Sequence, residues 1–173
     1  AVTRGTNGEQ LTEMGLLAEA GAVAFTDGTR AVSDTMVMRR ALSYARGFDL
    51  MVVQHPEDPK LANGGAMNEG EIASRLGLGG IPAAAEVIMV ERDLRLAELT
   101  GGKYHPAHTS TAHAAEAIRR AKPEGIHATC DTPPHYSAPH DTPVRHYPPF
   151  AKLPLPPRPQ AARHTHRTTP RTA

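Results

Sequence analysis

LMVVQHPEDPK, residues 50–60, is the stretch that decides the fold. The apolar run from Leu50 to Val53 predicts a short buried strand, and Pro56 ends it because proline cannot donate to a sheet ladder. His55 therefore stands at the carboxyl end of a strand, with two acidic residues shortly after it. A histidine in this place needs either a structural partner or a chemical role.

Short apolar strands and amphipathic helices alternate on both sides of this stretch. Asn7 with Gln10 resembles a capping box for a first helix, and Asp34 is the expected cap of a second. Strands are predicted at 21–25, 50–54, 103–108 and 125–130, and helices at 7–20, from Asp34, at 69–78, 83–100 and from Thr111, with a loop at 61–70. This order predicts an α/β fold with a parallel sheet, and a doubly wound sheet and a (β/α) barrel both fit.

The composition of the chain argues against several classes of function. The chain has 173 residues and a net charge of +1, which gives no argument for binding nucleic acid or an anionic membrane. No glycine-rich phosphate motif follows a strand, so nucleotide binding has no support. The one cysteine, Cys130, excludes an internal disulfide and suits a reducing cytoplasm, and no apolar run is long enough to span a bilayer. Eleven of 16 prolines lie from Pro133 onward, so we expect a domain at 1–152 and a disordered tail at 153–173.

Several side chains able to bind metal fall at predicted strand ends. They are Asp27 after the first strand, His55 after the second, His108 after the third, and Cys130 with Asp131 after the fourth. In a barrel, functional residues collect at this edge of the sheet. Two imidazoles and a carboxylate suit a hydrolytic divalent metal, whose bound water has a pKa near 7. The alternative for each histidine is a structural, hydrogen-bonded residue, and Cys130 fits better as a small buried side chain than as a nucleophile.

Three segments carry a resemblance to a known family. EMGLLAEAGAVAFTDG (13–28), VVQHPEDPKLANGGAMNEGEIASRLGLGGIPAAAEVIMVERDLRLAELTGGKYHPAHTSTA (52–112) and FAKL (150–153) resemble the middle of a bacterial dihydroorotase. The resemblance covers about residues 2 to 153. It implies part of a TIM-like (β/α)8 barrel of the amidohydrolase type, about strands four to seven. It also implies zinc-dependent interconversion of L-dihydroorotate and N-carbamoyl-L-aspartate, a step of pyrimidine synthesis.

The resemblance assigns metal-binding roles to particular residues. His55 and His108 match metal histidines of the family, and His105, three residues earlier, is expected to face away from the metal. Without a gap, the family's bridging carboxylate falls on Gly28, and Asp27 takes the neighbouring place. The family's His-x-His segment and its later aspartate segment are expected outside this chain, so we expect the chain alone to be inactive.

Two other hypotheses remain beside the hydrolase. The glycine at position 28 is compatible with a noncatalytic, dihydroorotase-like subunit that partners aspartate carbamoyltransferase. Hydantoinases and allantoinases usually carry a bridging carboxylated lysine, and no lysine stands near Asp27. The expected partners are a small-molecule substrate and further copies of the parent protein, with neither nucleic acid nor membrane.

Overall fold

The computed structural model describes residues 1–133, so the predicted tail at 153–173 and the end of the predicted domain lie outside the described residues. A 3-10 turn at Arg4–Thr6 comes first. The helices are α1 Met14–Glu19, α2 Thr35–Arg46, α3 Pro59–Ala62, α4 Glu71–Leu76, α5 Ala84–Thr100 and α6 Ala112–Ala121. The strands are β1 Ala24–Thr26, β2 Met51–Gln54, β3 Met67–Asn68, β4 Gly80–Ile81 and β5 Lys103–Pro106. No helix in this part of the chain is long and apolar enough to cross a bilayer.

The main sheet is parallel, as the alternation of elements predicts. Its order is β1-β2-β5, and β3 and β4 form a separate parallel pair. The predicted strand at 125–130 is wrong in extent, because only Ala128 forms a bridge, to Tyr104. The Ala128 N–H donates to the carbonyl of Ile126 at 2.8 Å, and this tight turn interrupts the ladder. The segment still lies beside β5, since Thr129 N–H donates to the Tyr104 carbonyl at 3.1 Å.

The helices cover one face of the sheet. Asp34 caps α2 by accepting the Val37 N–H at 2.8 Å, and Thr111 caps α6 by accepting the Ala114 N–H at 3.2 Å, as predicted. The predicted inward face of α2 is confirmed, since its buried residues are Val37, Met38, Ala41, Leu42 and Ala45. Together with α5, α6 and the sheet these side chains form the main core.

The predicted first helix is wrong in its start, which the structure places at Met14 instead of Asn7. The Asn7 side chain accepts the Glu9 N–H at 3.2 Å, which stabilises a turn rather than a helix. Thr3 and Leu11 form an antiparallel bridge across this turn. A contact between distant backbone positions therefore overrides the local capping signal.

The predicted loop at 61–70 contains the end of α3 and all of β3. The fold needs glycine at position 80, because a Cβ there would lie 2.5 Å from the Glu69 Cα. The main chains of these two positions can approach only where one has no side chain.

Alternation along the strands separates a helix-covered face from an inner face. Val52 and Gln54 of β2 are buried against the helices, whereas Met51 and Val53 are only partly covered on the other face. In β5, Tyr104 is buried and His105 is partly covered, and His105 is in register with Val53. The inner face of the sheet therefore leads along β2 to His55 and along β5 to His105.

Candidate metal site

His55 follows β2 directly and is buried, with 4% of its surface exposed. Its Nδ1 atom is buried without a hydrogen-bond partner. Burial, and to a lesser degree the nearby His108, lower the pKa of His55 to about 4. The ring is therefore neutral at pH 7, which is the form that binds a metal ion. An unpaired nitrogen on a buried neutral imidazole is costly unless a ligand uses it.

His108 lies close to His55, and their ring centroids are 6.2 Å apart. The two rings are close enough to share one ion, since zinc–nitrogen bonds are about 2 Å long. His108 belongs to the turn after β5, and its φ of +59° is in the left-handed region. Its side chain is 47% exposed, so the ring is open to solvent on one side.

A buried carboxylate holds the segment that follows His108. Glu86 of α5 has no exposed surface and accepts hydrogen bonds from four donors, the backbone N–H and the hydroxyl of both Ser110 and Thr111. The Thr111 N–H and hydroxyl lie 2.9 and 2.8 Å from Oε1. These bonds fix the main chain two residues beyond His108 to the helix layer.

A second carboxylate, Asp131, holds His108 from the other side. Its Oδ1 accepts the backbone N–H of His108 and lies 3.6 Å from Nδ1 of the ring. Its Oδ2 lies 3.5 Å from Nε2 of His105. The expectation that His105 faces away is wrong, because both histidines approach one carboxylate. An inward-facing side chain of β5 and the turn after β5 both lead to Asp131. The three-residue spacing of His105 and His108 in the sequence did not reveal this.

Asp27 is not brought to the histidine pair. Its Oδ1 accepts the N–H groups of Val2 at 2.8 Å and Thr3 at 2.9 Å, and its Oδ2 accepts the Thr3 hydroxyl. The carboxylate is 7% exposed and binds the N-terminal segment to the end of β1. Among residues 1–133, no group of three histidine, cysteine, aspartate or glutamate side chains is placed to hold a metal ion.

Gly28 lies in the turn that follows β1. The paired residues of β1 end at Thr26, which is in register with Val53, two residues before His55. The φ of Gly28 is +68°, and a Cβ added there would meet nothing within 4 Å. The two histidines thus fit as nitrogen ligands of a metal ion, whereas Gly28 has space around it for a side chain but carries none.

A cavity of about 400 Å³ opens beside His55. Its wall includes Thr29 and Arg30 after β1, and Glu57 after β2. This volume is within the range of small-molecule sites. Cys130, the remaining sequence candidate, is half-buried, and burial raises the pKa of its thiol, which does not suit a nucleophile.

Solved structures of hydantoinases share this fold. L-hydantoinase (dihydropyrimidinase) from Arthrobacter aurescens matches with a TM-score of 0.72 and 19% identity, over 89% of this chain and 36% of that one. D-hydantoinase from Bacillus sp. AR9 matches with a TM-score of 0.70 and 18% identity, over 88% of this chain and 35% of that one. The described residues therefore share the α/β fold of these structures, as part of a barrel, which confirms the predicted fold class.

Sequence similarity identifies the family within this class. The family described as Dihydro-orotase-like matches residues 1–114, and the chain belongs to it. The dihydroorotase of Syntrophobacter fumaroxidans is 55% identical over 136 residues, 79% of this chain and 31% of that protein. The dihydroorotase of Desulforapulum autotrophicum is 48% identical over 163 residues, 94% of this chain and 38% of that protein. The chain spans about a third of the length of these curated relatives.

Proposed function

We propose that this chain is the metal-binding middle section of a dihydroorotase, with His55 and His108 as ligands of a zinc ion. The observation that carries the proposal is the His55 ring, which is buried, neutral and unpaired at Nδ1, and lies 6.2 Å from the His108 ring. Family membership supports the reaction, which is hydrolysis of a cyclic amide and its reversal. Zinc would supply a water that ionises near neutral pH.

The residues of this chain would contribute in three ways. The two imidazoles would bind the metal as neutral donors. The nearby cavity would receive the substrate, and Arg30 gives its wall a cation suited to a carboxylated ring such as dihydroorotate. Glu86 would keep the His108 segment in place through its bonds to Ser110 and Thr111.

Metal stoichiometry on the purified, folded 173-residue chain tests the ligand assignment. We expect one zinc ion in the wild-type chain, and its loss in His55→Ala and in His108→Ala. His113→Ala is the matched control, because His113 is exposed on α6 and should leave the bound zinc unchanged. Absence of zinc from the wild-type chain, or its retention in both ligand variants, would contradict the assignment.

A chimera tests the reaction itself. The matching segment of the Geobacter sulfurreducens dihydroorotase, 47% identical over 153 residues, would be replaced by the segment of this chain. We expect the chimera to hydrolyse L-dihydroorotate, and more rapidly when it carries Gly28→Asp. A folded chimera that is active only with Gly28→Asp would instead favour a noncatalytic subunit. A folded chimera inactive in both forms would refute the proposed reaction.

A further inference from the structure

Asp131 contacts the His108 segment at three points. Its carboxylate accepts the His108 backbone N–H, and Oδ1 faces Nδ1 of the ring at 3.6 Å. Its own carbonyl accepts the Thr109 N–H at 2.9 Å. One residue therefore restrains the main chain at His108 and Thr109 and faces one edge of the imidazole.

The carboxylate also lies close to the inner face of the sheet. His105 Nε2 lies 3.5 Å from Oδ2, and His105 Nδ1 is 2.8 Å from the hydroxyl of Thr129. Thr129 lies beside β5 through its bond to the Tyr104 carbonyl. A connected set of side chains thus runs from the sheet through His105 to Asp131, and from Asp131 to His108.

His108 needs such a restraint more than most residues do. A non-glycine residue at a φ of +59° is in the left-handed region, which residues with a Cβ seldom adopt. The ring is 47% exposed, so packing alone holds it weakly. Strained residues persist where surrounding bonds over-determine their conformation, and here Asp131 provides two of those bonds.

We propose that Asp131 is a positioning residue for His108, which keeps Nδ1 protonated toward its carboxylate and leaves Nε2 to bind the metal ion. Metal-binding histidines commonly donate their second ring N–H to a carboxylate, which fixes the tautomer and orientation. The inference rests on the proposed function in one respect, which is that His108 is a ligand of the metal ion. The orientation of the ring follows from Asp131 whether or not a metal binds.

The test uses the full 173-residue chain labelled with 15N at histidine. His108→Ala identifies the His108 ring signals. Asp131→Ala removes both contacts of the carboxylate with His108 and keeps the carbonyl bond to Thr109, and Asp131→Asn keeps an oxygen for the His108 N–H but removes the charge. Asp34→Asn is the matched control, because it neutralises an aspartate that caps α2 and keeps its acceptor. Circular dichroism checks that each variant is folded, and cobalt(II) titration measures metal affinity.

We expect the wild-type ring to be mainly the Nδ1–H tautomer and to change towards Nε2–H in Asp131→Ala. Cobalt should bind about 10- to 100-fold more weakly to Asp131→Ala, with an intermediate loss in Asp131→Asn. Asp34→Asn should change neither quantity. A residue with a merely structural role would leave the tautomer unchanged.

The two proposals fail in different ways. A wild-type chain that binds no metal refutes the ligand assignment, and the tautomer then decides the role of Asp131 alone. A His108 ring that is Nε2–H in the wild-type chain, or whose tautomer is the same in Asp131→Ala, overturns the positioning role. Unchanged cobalt affinity in a folded Asp131→Ala chain would also overturn it, provided that His108→Ala abolishes binding.

Discussion

Replacing Glu86 by glutamine should be among the most damaging conservative changes in this chain. The carboxylate has no exposed surface, and its two oxygens serve four donors from Ser110 and Thr111. Glutamine keeps one oxygen for Thr111 but turns an NH2 group toward the Ser110 N–H. Two donors then face each other in a place that water cannot reach.

The size of the effect can be worked out from these bonds. A hydrogen bond to a charged acceptor contributes about 1.5–3 kcal/mol net, and a buried donor without an acceptor costs about 1–3 kcal/mol. Glu86→Gln should therefore lower the free energy of unfolding by about 3 kcal/mol. Small domains have about 5–15 kcal/mol of stability in total, so much of it would be lost. At a urea dependence of about 1–3 kcal/mol per molar, the midpoint should fall by about 1–3 M.

Urea unfolding followed by circular dichroism measures this change. Glu98→Gln is the control on the same helix, because Glu98 is about half exposed and pairs with Arg95 at 3.0 Å on the surface. Such a pair contributes less than about 1 kcal/mol. Equal midpoints for Glu86→Gln and Glu98→Gln would refute the reasoning, since the buried bonds would then contribute no more than a surface ion pair.

Three further predictions follow from the described residues. Burial raises the pKa of Asp93 to about 6, although Arg92 opposes the shift. The folded chain therefore binds this proton more tightly than the unfolded chain. The free energy of unfolding should fall by about 3 kcal/mol as pH rises from about 4 to above 6. Urea titrations at several pH values measure this dependence, and Asp93→Asn should remove it. Gly28→Asp should strengthen cobalt binding relative to Gly28→Asn. Both variants should lower the free energy of unfolding by about 1–2 kcal/mol in thermal or urea unfolding, because φ at this position is +68°. Gly80→Ala should destabilise the chain strongly in the same assay because its Cβ would lie 2.5 Å from the Glu69 Cα, whereas Gly79→Ala, with 3.5 Å to its nearest atom, should be nearly neutral.

Sequence reasoning succeeded where the deciding interaction is local. Asp34 caps α2 through a donor three residues away, and Thr111 caps α6 in the same way. The apolar run before Gln54 forms β2, as its composition predicts. Each of these elements depends on residues that are neighbours in the chain, so a single stretch of sequence contains the cause.

Most of the failures involve partners that are not neighbours in the chain. The Thr3–Leu11 bridge replaced the predicted helix start. The exception is the last predicted strand, which a tight local turn from Ile126 to Ala128 reduced to one bridge. The two carboxylates that hold the His108 segment were also missed as supporting residues. Glu86 is 24 residues from Ser110, and Asp131 is 23 residues from His108. An acidic residue on a helix or after a strand gives no sign of such a partner until the fold brings them together.

The hydrogen bonds of Asp27 explain why it and the histidines separate. Its buried carboxylate binds the N-terminal segment through Val2 and Thr3, so it is not available to the histidine pair. The next position is Gly28, in the turn after β1, where the resemblance to the family predicts a carboxylate. Metal affinity should therefore respond to a carboxylate at position 28, whereas Asp27→Asn should loosen the N-terminal segment and leave the histidine pair in place.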